Sequence, residues 1–168
     1  MIWRLLLLRL STIFSFVLLV CATNPGWSQS NSFLAVSFGV LGIDDENLAL
    51  DYRVEYRAPA AFKSLSPTIG IQATSHGSVY SFWGLSRDIR LAPELYLIPS
   101  LVAGAYHKGS GKNLGGIIEF RSGLEFSLKV RPRMRASVAV HHLSNSSIYD
   151  HNPGIESVVL TYYFMLSR

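Results

Sequence analysis

Residues 48–58 alternate without a break: Leu50, Tyr52, Val54 and Tyr56 are separated by Asp51, Arg53, Glu55 and Arg57. Successive side chains of a strand point to opposite faces, so this period of two makes a strand with one apolar and one ionic face. The rhythm returns at 118–130, where Ile118, Phe120, Leu124, Phe126 and Leu128 oppose Glu119, Arg121, Glu125 and Lys129. It returns again at 133–144, with Met134, Ala136, Val138 and Val140 against Arg133, Arg135 and Ser137. Weaker alternation marks 33–42, 68–74, 79–85, 94–106 and 156–164, which brings the expected strands to eight. Turn-forming stretches separate them, at 44–47, 59–67, 76–77, 92–93, 109–113, 131–132 and 145–154. Helical patterning is missing.

Eight amphipathic strands of roughly ten residues match a small transmembrane barrel. Within a bilayer only helices and closed barrels satisfy every backbone hydrogen bond. The fold expected is therefore all-β, an eight-stranded antiparallel transmembrane barrel, with Asp51, Arg53, Glu55, Arg57, Glu119, Arg121, Glu125 and Arg135 pairing in the lumen. The rival is a soluble, lipocalin-like lipid carrier, which turns its apolar face inward around a ligand. Aromatic residues near the strand ends favour the membrane form: Trp83, Tyr96, Tyr106, Tyr162 and Phe164 read as interfacial girdles. The strand ending in Tyr162-Tyr163-Phe164 is like the closing strand of outer-membrane barrels, although Met165 to Arg168 follow it. Pro99 interrupts the fifth strand and calls for a bulge there, since a closed barrel has no free edge to host a proline.

Residues 1–30 differ from the rest. Arg4 and Arg9 flank an apolar run that resumes from Ile13 to Ala22, and a less apolar stretch follows. That is the layout of a secretory signal peptide, expected to span 1–28 with cleavage before Gln29, or alternatively before Asn31. Its apolar core falls short of the ~20 residues a membrane helix needs. The single cysteine, Cys21, lies inside this segment, and Val20 before it is too large for a lipoprotein signal. The barrel at 29–168 then has no disulfide and no thiolate metal site. The formal charge of +4 includes Arg4 and Arg9, so the barrel carries about +2, too little to point to nucleic acid.

The chemistry concentrates at 141–156. Hydrolysis of an ester needs a hydroxyl nucleophile, a base for its proton, and a group that orients the base. His142 and Ser144 are two apart on one strand and share a face. Glu156 opens the next antiparallel strand, where it can meet His142 laterally. By parity His142 and Ser144 continue the apolar series through Val140, and Glu156 shares its face with Val158, Leu160 and Tyr162. All three should project toward lipid at one end of the barrel, where ionisable groups are costly and usually functional. Taken singly, each has an ordinary reading as interfacial or loop-proximal polarity; together on one face they are harder to dismiss. His141 has opposite parity and reads as structural. His76, His107 and His151 lie in or beside turns without metal-ligand spacing, and Asp44, Asp45 and Glu46 read as a solvated turn before a cation site.

His142-Leu143-Ser144-Asn145, followed by Asn152-Pro153-Gly154-Ile155-Glu156 on a short exported barrel, resembles the lipid A 3-O-deacylase (PagL) family. The resemblance implies a serine esterase of the Gram-negative outer membrane that removes the 3-O-linked 3-hydroxyacyl chain of lipid A, with no cofactor and no metal. It implies Ser144 as nucleophile, His142 as general base and Glu156 as the partner that orients the base. Asn152 is the implied oxyanion-hole donor, supported by the backbone after Ser144 through Asn145 and Ser147. The family often has Ala-Gly where this chain has Ser146-Ser147, which bears on the turn presenting the oxyanion amide. Lys108 and Lys112 are candidate contacts for lipid A phosphates, against the ordinary reading of a solvated loop. The partners expected are lipopolysaccharide and outer-membrane lipid, with a homodimer allowed. A non-enzymatic structural or adhesive barrel is the other alternative, and it has no reason to keep His142, Ser144 and Glu156 on one face.

Overall fold

The computed structural model describes residues 31–43, 48–61 and 64–167. The expected signal peptide and the acidic turn Asp44, Asp45 and Glu46 lie outside the described residues. The strands are β1 (Ser32–Leu41), β2 (Ala49–Arg57), β3 (Ser66–Thr74), β4 (Val79–Ser86), β5 (Ile89–Arg90), β6 (Leu95–His107), β7 (Ile118–Arg131), β8 (Met134–Ser144) and β9 (Ile155–Ser167). Every pairing is antiparallel, and β1–β9 together with β4–β6 close the eight long strands into a barrel. The two-residue β5 is an addition to the expected eight, lying beside the start of β6 where β4 has ended.

Pro99 fits without the expected bulge. It pairs in register with Leu124 on β7, while on its other side β6 passes from β4, whose last partner is Ser86↔Ser100, to β5, whose first is Ile89↔Leu97. A residue at that junction lacks a continuous ladder on one side, so a missing N–H is tolerated there. The Pro99 carbonyl still accepts from Arg87 N–H at 3.1 Å.

The alternation read from the sequence becomes inside and outside. Val140 is 53 % exposed while Ala139 beside it is 1 % exposed, and such contrast recurs around the ring. An apolar exterior belt including Phe38, Tyr52, Trp83, Phe126, Leu160 and Tyr162 is the surface a bilayer covers, which excludes the carrier architecture. Trp83, Tyr162 and Phe164 face outward as expected of girdle residues. Tyr106 and Tyr96 do not: Tyr106 is buried in the interior, and the Tyr96 ring lies 4.2 Å from the Arg135 guanidinium. Both share the inward parity of Ile98 and Val102, which outweighs their position near strand ends.

The interior has two zones. Across the middle and lower lumen run Asp51–Arg53, Arg57–Glu55, Arg121–Glu55, Arg57–Glu125 and Arg135–Asp88 ion pairs. Buried charges are tolerated when paired and hydrogen-bonded, and these pairs also carry Tyr163, whose hydroxyl donates to Glu125 and accepts from Arg57. Glu119 differs from the expectation, since neither of its carboxylate oxygens finds a hydrogen-bond partner among the described residues. The other zone is an apolar plug that includes Leu41, Tyr80, Phe82, Leu114, Leu143 and Ile155. Leu114 comes from the 108–117 loop and folds back into the barrel mouth, so that end is packed shut.

Ser32 pairs with Ser167, so the first and last strands begin and end on one side of the barrel. In barrels of even strand number that side is periplasmic, which puts the 108–117 and 145–154 loops outside the cell.

Candidate active site

β8 and β9 carry the site at the extracellular end of the barrel wall. His142 and Glu156 are direct cross-strand partners, and Glu156 Oε1 lies 2.8 Å from His142 Nδ1. The side chains are 48 % and 44 % exposed on the face that meets lipid. With Nδ1 donating to the carboxylate, Nε2 of the neutral ring is the nitrogen free to accept a proton. Ser144 is two residues along the same strand and face, a spacing of about 6.6 Å between Cα atoms. Its hydroxyl makes no hydrogen bond among the described residues. On the other side of β8, Ser122 pairs with His142 and Phe120 with Ser144, so Phe120 adjoins the serine on that side.

The loop after Ser144 is fixed from within. Asn145 is fully buried; its Nδ2 donates to Leu114 O at 2.7 Å and to His151 O at 2.8 Å. Its Oδ1 accepts from Ser147 N–H at 2.9 Å, and Ile148 N–H donates to Asn145 O. That closes a turn with Ser146 at φ 53° and Ser147 at φ 64°. Two successive left-handed residues make a turn that favours glycine, and a non-glycine there costs about 1–2 kcal/mol. Ser146-Ser147 thus keeps the turn geometry at a cost in strain.

Asn152 reaches back over this turn. Its Oδ1 accepts from Asn145 N–H at 3.1 Å, and its Nδ2 donates to Ser147 Oγ at 3.2 Å. The amide is therefore oriented with its NH2 toward the turn. Of the backbone donors after Ser144, Asn145 N–H and Ser147 N–H are already committed, to Asn152 Oδ1 and Asn145 Oδ1. Ser146 N–H donates to none of the described residues. Asn145 and Ser147 thus spend their N–H groups within the loop, while Ser146 N–H and one hydrogen of Asn152 Nδ2 donate to none of the described residues.

Three glycines shape the site and were not singled out for it by sequence. Gly154, at φ +66°, sits close against the imidazole: an added Cβ would stand 2.7 Å from His142 Cε1 and 3.3 Å from Nε2. Gly115 admits His151 O, and Gly116 admits the Tyr149 ring, so the 108–117 loop docks against the 145–154 loop without a side chain between them. The adjacent pair Gly115-Gly116 and the motif position of Gly154 were the available signals. Lys108 and Lys112 belong to this docked loop. Lys108 is exposed, and its carbonyl accepts from Ser78 Oγ, while the Lys112 carbonyl accepts from Tyr106 OH. Neither contact involves an ammonium group. The loop histidines His76, His107 and His151 do not gather with acidic residues into a metal-sized cluster among the described residues.

The family model described as lipid A 3-O-deacylase (PagL) matches residues 50–164. Among solved structures, the outer-membrane enzyme PagL superposes with a TM-score of 0.65 at 16 % identity, covering 80 % of this chain and 99 % of that one. A de novo designed transmembrane β-barrel matches with a TM-score of 0.61 at 13 % identity, covering 83 % and 98 %. Neisserial surface protein A matches with a TM-score of 0.54 at 11 % identity, covering 84 % and 100 %. At such identities the likeness speaks for the fold. No curated protein sequence matches significantly.

Proposed function

This chain belongs to the lipid A 3-O-deacylase (PagL) family, and from that membership we propose that it removes the 3-O-linked 3-hydroxyacyl chain of lipid A through Ser144, His142 and Glu156. The enzyme is an ester hydrolase of the outer membrane, and its substrate is the lipid A of lipopolysaccharide. The residue assignment rests on one observation above all: an outward His142–Glu156 hydrogen bond, in register, two residues from an outward Ser144.

In the proposed mechanism Glu156 holds His142 with Nδ1–H toward the carboxylate, which leaves Nε2 to take the Ser144 proton. Ser144 Oγ attacks the ester carbonyl, and the tetrahedral oxyanion is met by Asn152 Nδ2–H and Ser146 N–H. His142 returns its proton to the departing sugar hydroxyl, leaving the acyl group on Ser144. Water, deprotonated by the same Nε2, then releases the fatty acid. Facing lipid, the site can take its substrate sideways from the outer leaflet, beside the apolar Phe120 and Val140. Lys108 and Lys112, on the loop docked beside the site, are the proposed contacts for lipid A phosphates.

Mass spectrometry of lipid A from cells with and without this chain tests the reading. The expected change is loss of one ester-linked 3-hydroxyacyl chain, with no change in lipid A that already lacks it. Release of an amide-linked chain, or transfer of the acyl group to a second lipid, would contradict it.

A further inference from the structure

The His142–Glu156 pair is half-exposed on the lipid face, with Gly154 packed against the imidazole, and its geometry depends on how β8 and β9 are held. Both strands end at the 145–154 loop just beyond the pair. One step inward in parity, His141 and Ser157 form the adjacent cross-strand pair, with side chains in the lumen. A single residue on β2 spans them from within the lumen. Arg53 Nη1 lies 3.0 Å from His141 Nδ1, and its Nη2 donates to Ser157 Oγ at 2.6 Å. A guanidinium only donates, so His141 Nδ1 is the acceptor and the ring proton is on Nε2.

Arg53 is itself braced. Its Nε donates to Asp51 Oδ1 at 3.1 Å and its Nη2 to Asp51 Oδ2 at 2.5 Å, while Gln72 Nε2 from β3 donates to Asp51 Oδ2 at 3.2 Å. Arg53, Asp51, Gln72 and Ser157 are all buried. β2 is a neighbour of neither β8 nor β9, because β1 lies between β2 and β9. The strut therefore adds a constraint that the ladder between neighbouring strands does not supply. A fork with two donor ends matches two acceptors at once, which a lysine ammonium at the same site would not reproduce.

We infer that Arg53 is a positioning residue for the reaction: it clamps His141 and Ser157 together from inside the barrel and so sets the alignment of His142 with Glu156 on the outside. The inference rests on the reading of His142 and Glu156 given above. It assigns a catalytic consequence to one part of the lumen network and none to the rest. Arg57 is the natural comparator, since it is equally buried but bound to Glu55, Glu125 and Tyr163, away from the β8–β9 pair at the site.

The test compares Arg53→Met, Arg57→Met and His142→Ala as refolded full barrels acting on lipid A in micelles, with urea unfolding measured for each. Arg53→Met should lower kcat on the order of tenfold to a hundredfold with KM near wild type, as expected when a reacting group is misplaced by a fraction of an ångström to an ångström. Arg57→Met should lose comparable stability and keep kcat. Adding His141→Leu to Arg53→Met should lower kcat little further, because both changes remove the same contact. If Arg53→Met does not fold, Arg53→Lys takes its place, with the same fall in kcat expected. A wild-type kcat in the folded Arg53 variant, or equal loss of kcat in the Arg57 variant, would overturn the inference. A wild-type rate in His142→Ala would instead overturn the reading of the site on which it rests.

Discussion

Glu156 Oε1 sits 2.8 Å from His142 Nδ1 because the two residues face each other across β8 and β9 in register. The carboxylate proposed to orient the base is thus delivered by strand pairing, and no loop has to close to bring it there. Glu156→Gln keeps the side-chain length but removes the negative charge that, in the proposed mechanism, stabilises the imidazolium. We expect kcat to fall by about 10² to 10⁴, less than on loss of the nucleophile or the base. Single-turnover rates on lipid A would measure the difference, and a loss as great as that of Ser144→Ala would argue for a different role.

Gly154→Ala should slow the reaction without opening the barrel. Its φ of +66° disfavours any side chain, and the new methyl would press on His142 Cε1 at 2.7 Å. The strain is about 1–3 kcal/mol, and the imidazole is the neighbour able to give way. We expect a kcat lower by roughly tenfold or more, with heat-modifiable migration on gels retained. Unchanged kcat would show that the imidazole position is not critical.

Asn152 has two separable duties. Its Oδ1 caps Asn145 N–H, and its Nδ2 is the proposed donor to the oxyanion. Asn152→Asp keeps the acceptor and replaces the donor with a carboxylate oxygen. The loop should stay folded while kcat falls by about 10² to 10³, the usual effect of losing one oxyanion donor. Retained kcat in this variant would leave Ser146 N–H as sole donor and remove Asn152 from the mechanism.

The strand pattern was legible because a membrane barrel keeps strict alternation, apolar outside and ionic inside. Each run such as 50–57 therefore declares both its strand and its facing. The outward placement of Ser144, His142 and Glu156 followed from the same parity. Packing of loops was hidden, since nothing in the spacing of Leu114 or Tyr149 says that they fold into the mouth or onto Gly116. Tyr106 was misread for the same reason: proximity to a strand end suggested a girdle, whereas its even-numbered parity with Val102 points inward. Arg53 was legible as a lumen charge, but its reach to His141 and Ser157 depends on the barrel's closure.

Facing can be read directly, strand by strand. The expected mature chain has no cysteine, so single cysteines at Val140, Ser144 and Val158 can carry a fluorophore in a reconstituted barrel. Brominated lipids should quench these three and spare Ser137, Ala139 and Val159, which are buried in the interior. The reverse pattern would put the apolar face and the site inside a cavity.

The most direct measurement is release of the 3-hydroxy fatty acid from purified lipid A by refolded wild type, Ser144→Ala and His142→Ala, each shown to migrate as a folded barrel. Wild type should release one ester-linked chain per lipid A, and both variants should be slower by about 10⁴ or more, as when a nucleophile or its base is removed from a serine hydrolase. Folded Ser144→Ala releasing that chain at the wild-type rate would contradict the assignment of Ser144 as nucleophile, and with it the mechanism built on the β8–β9 pair.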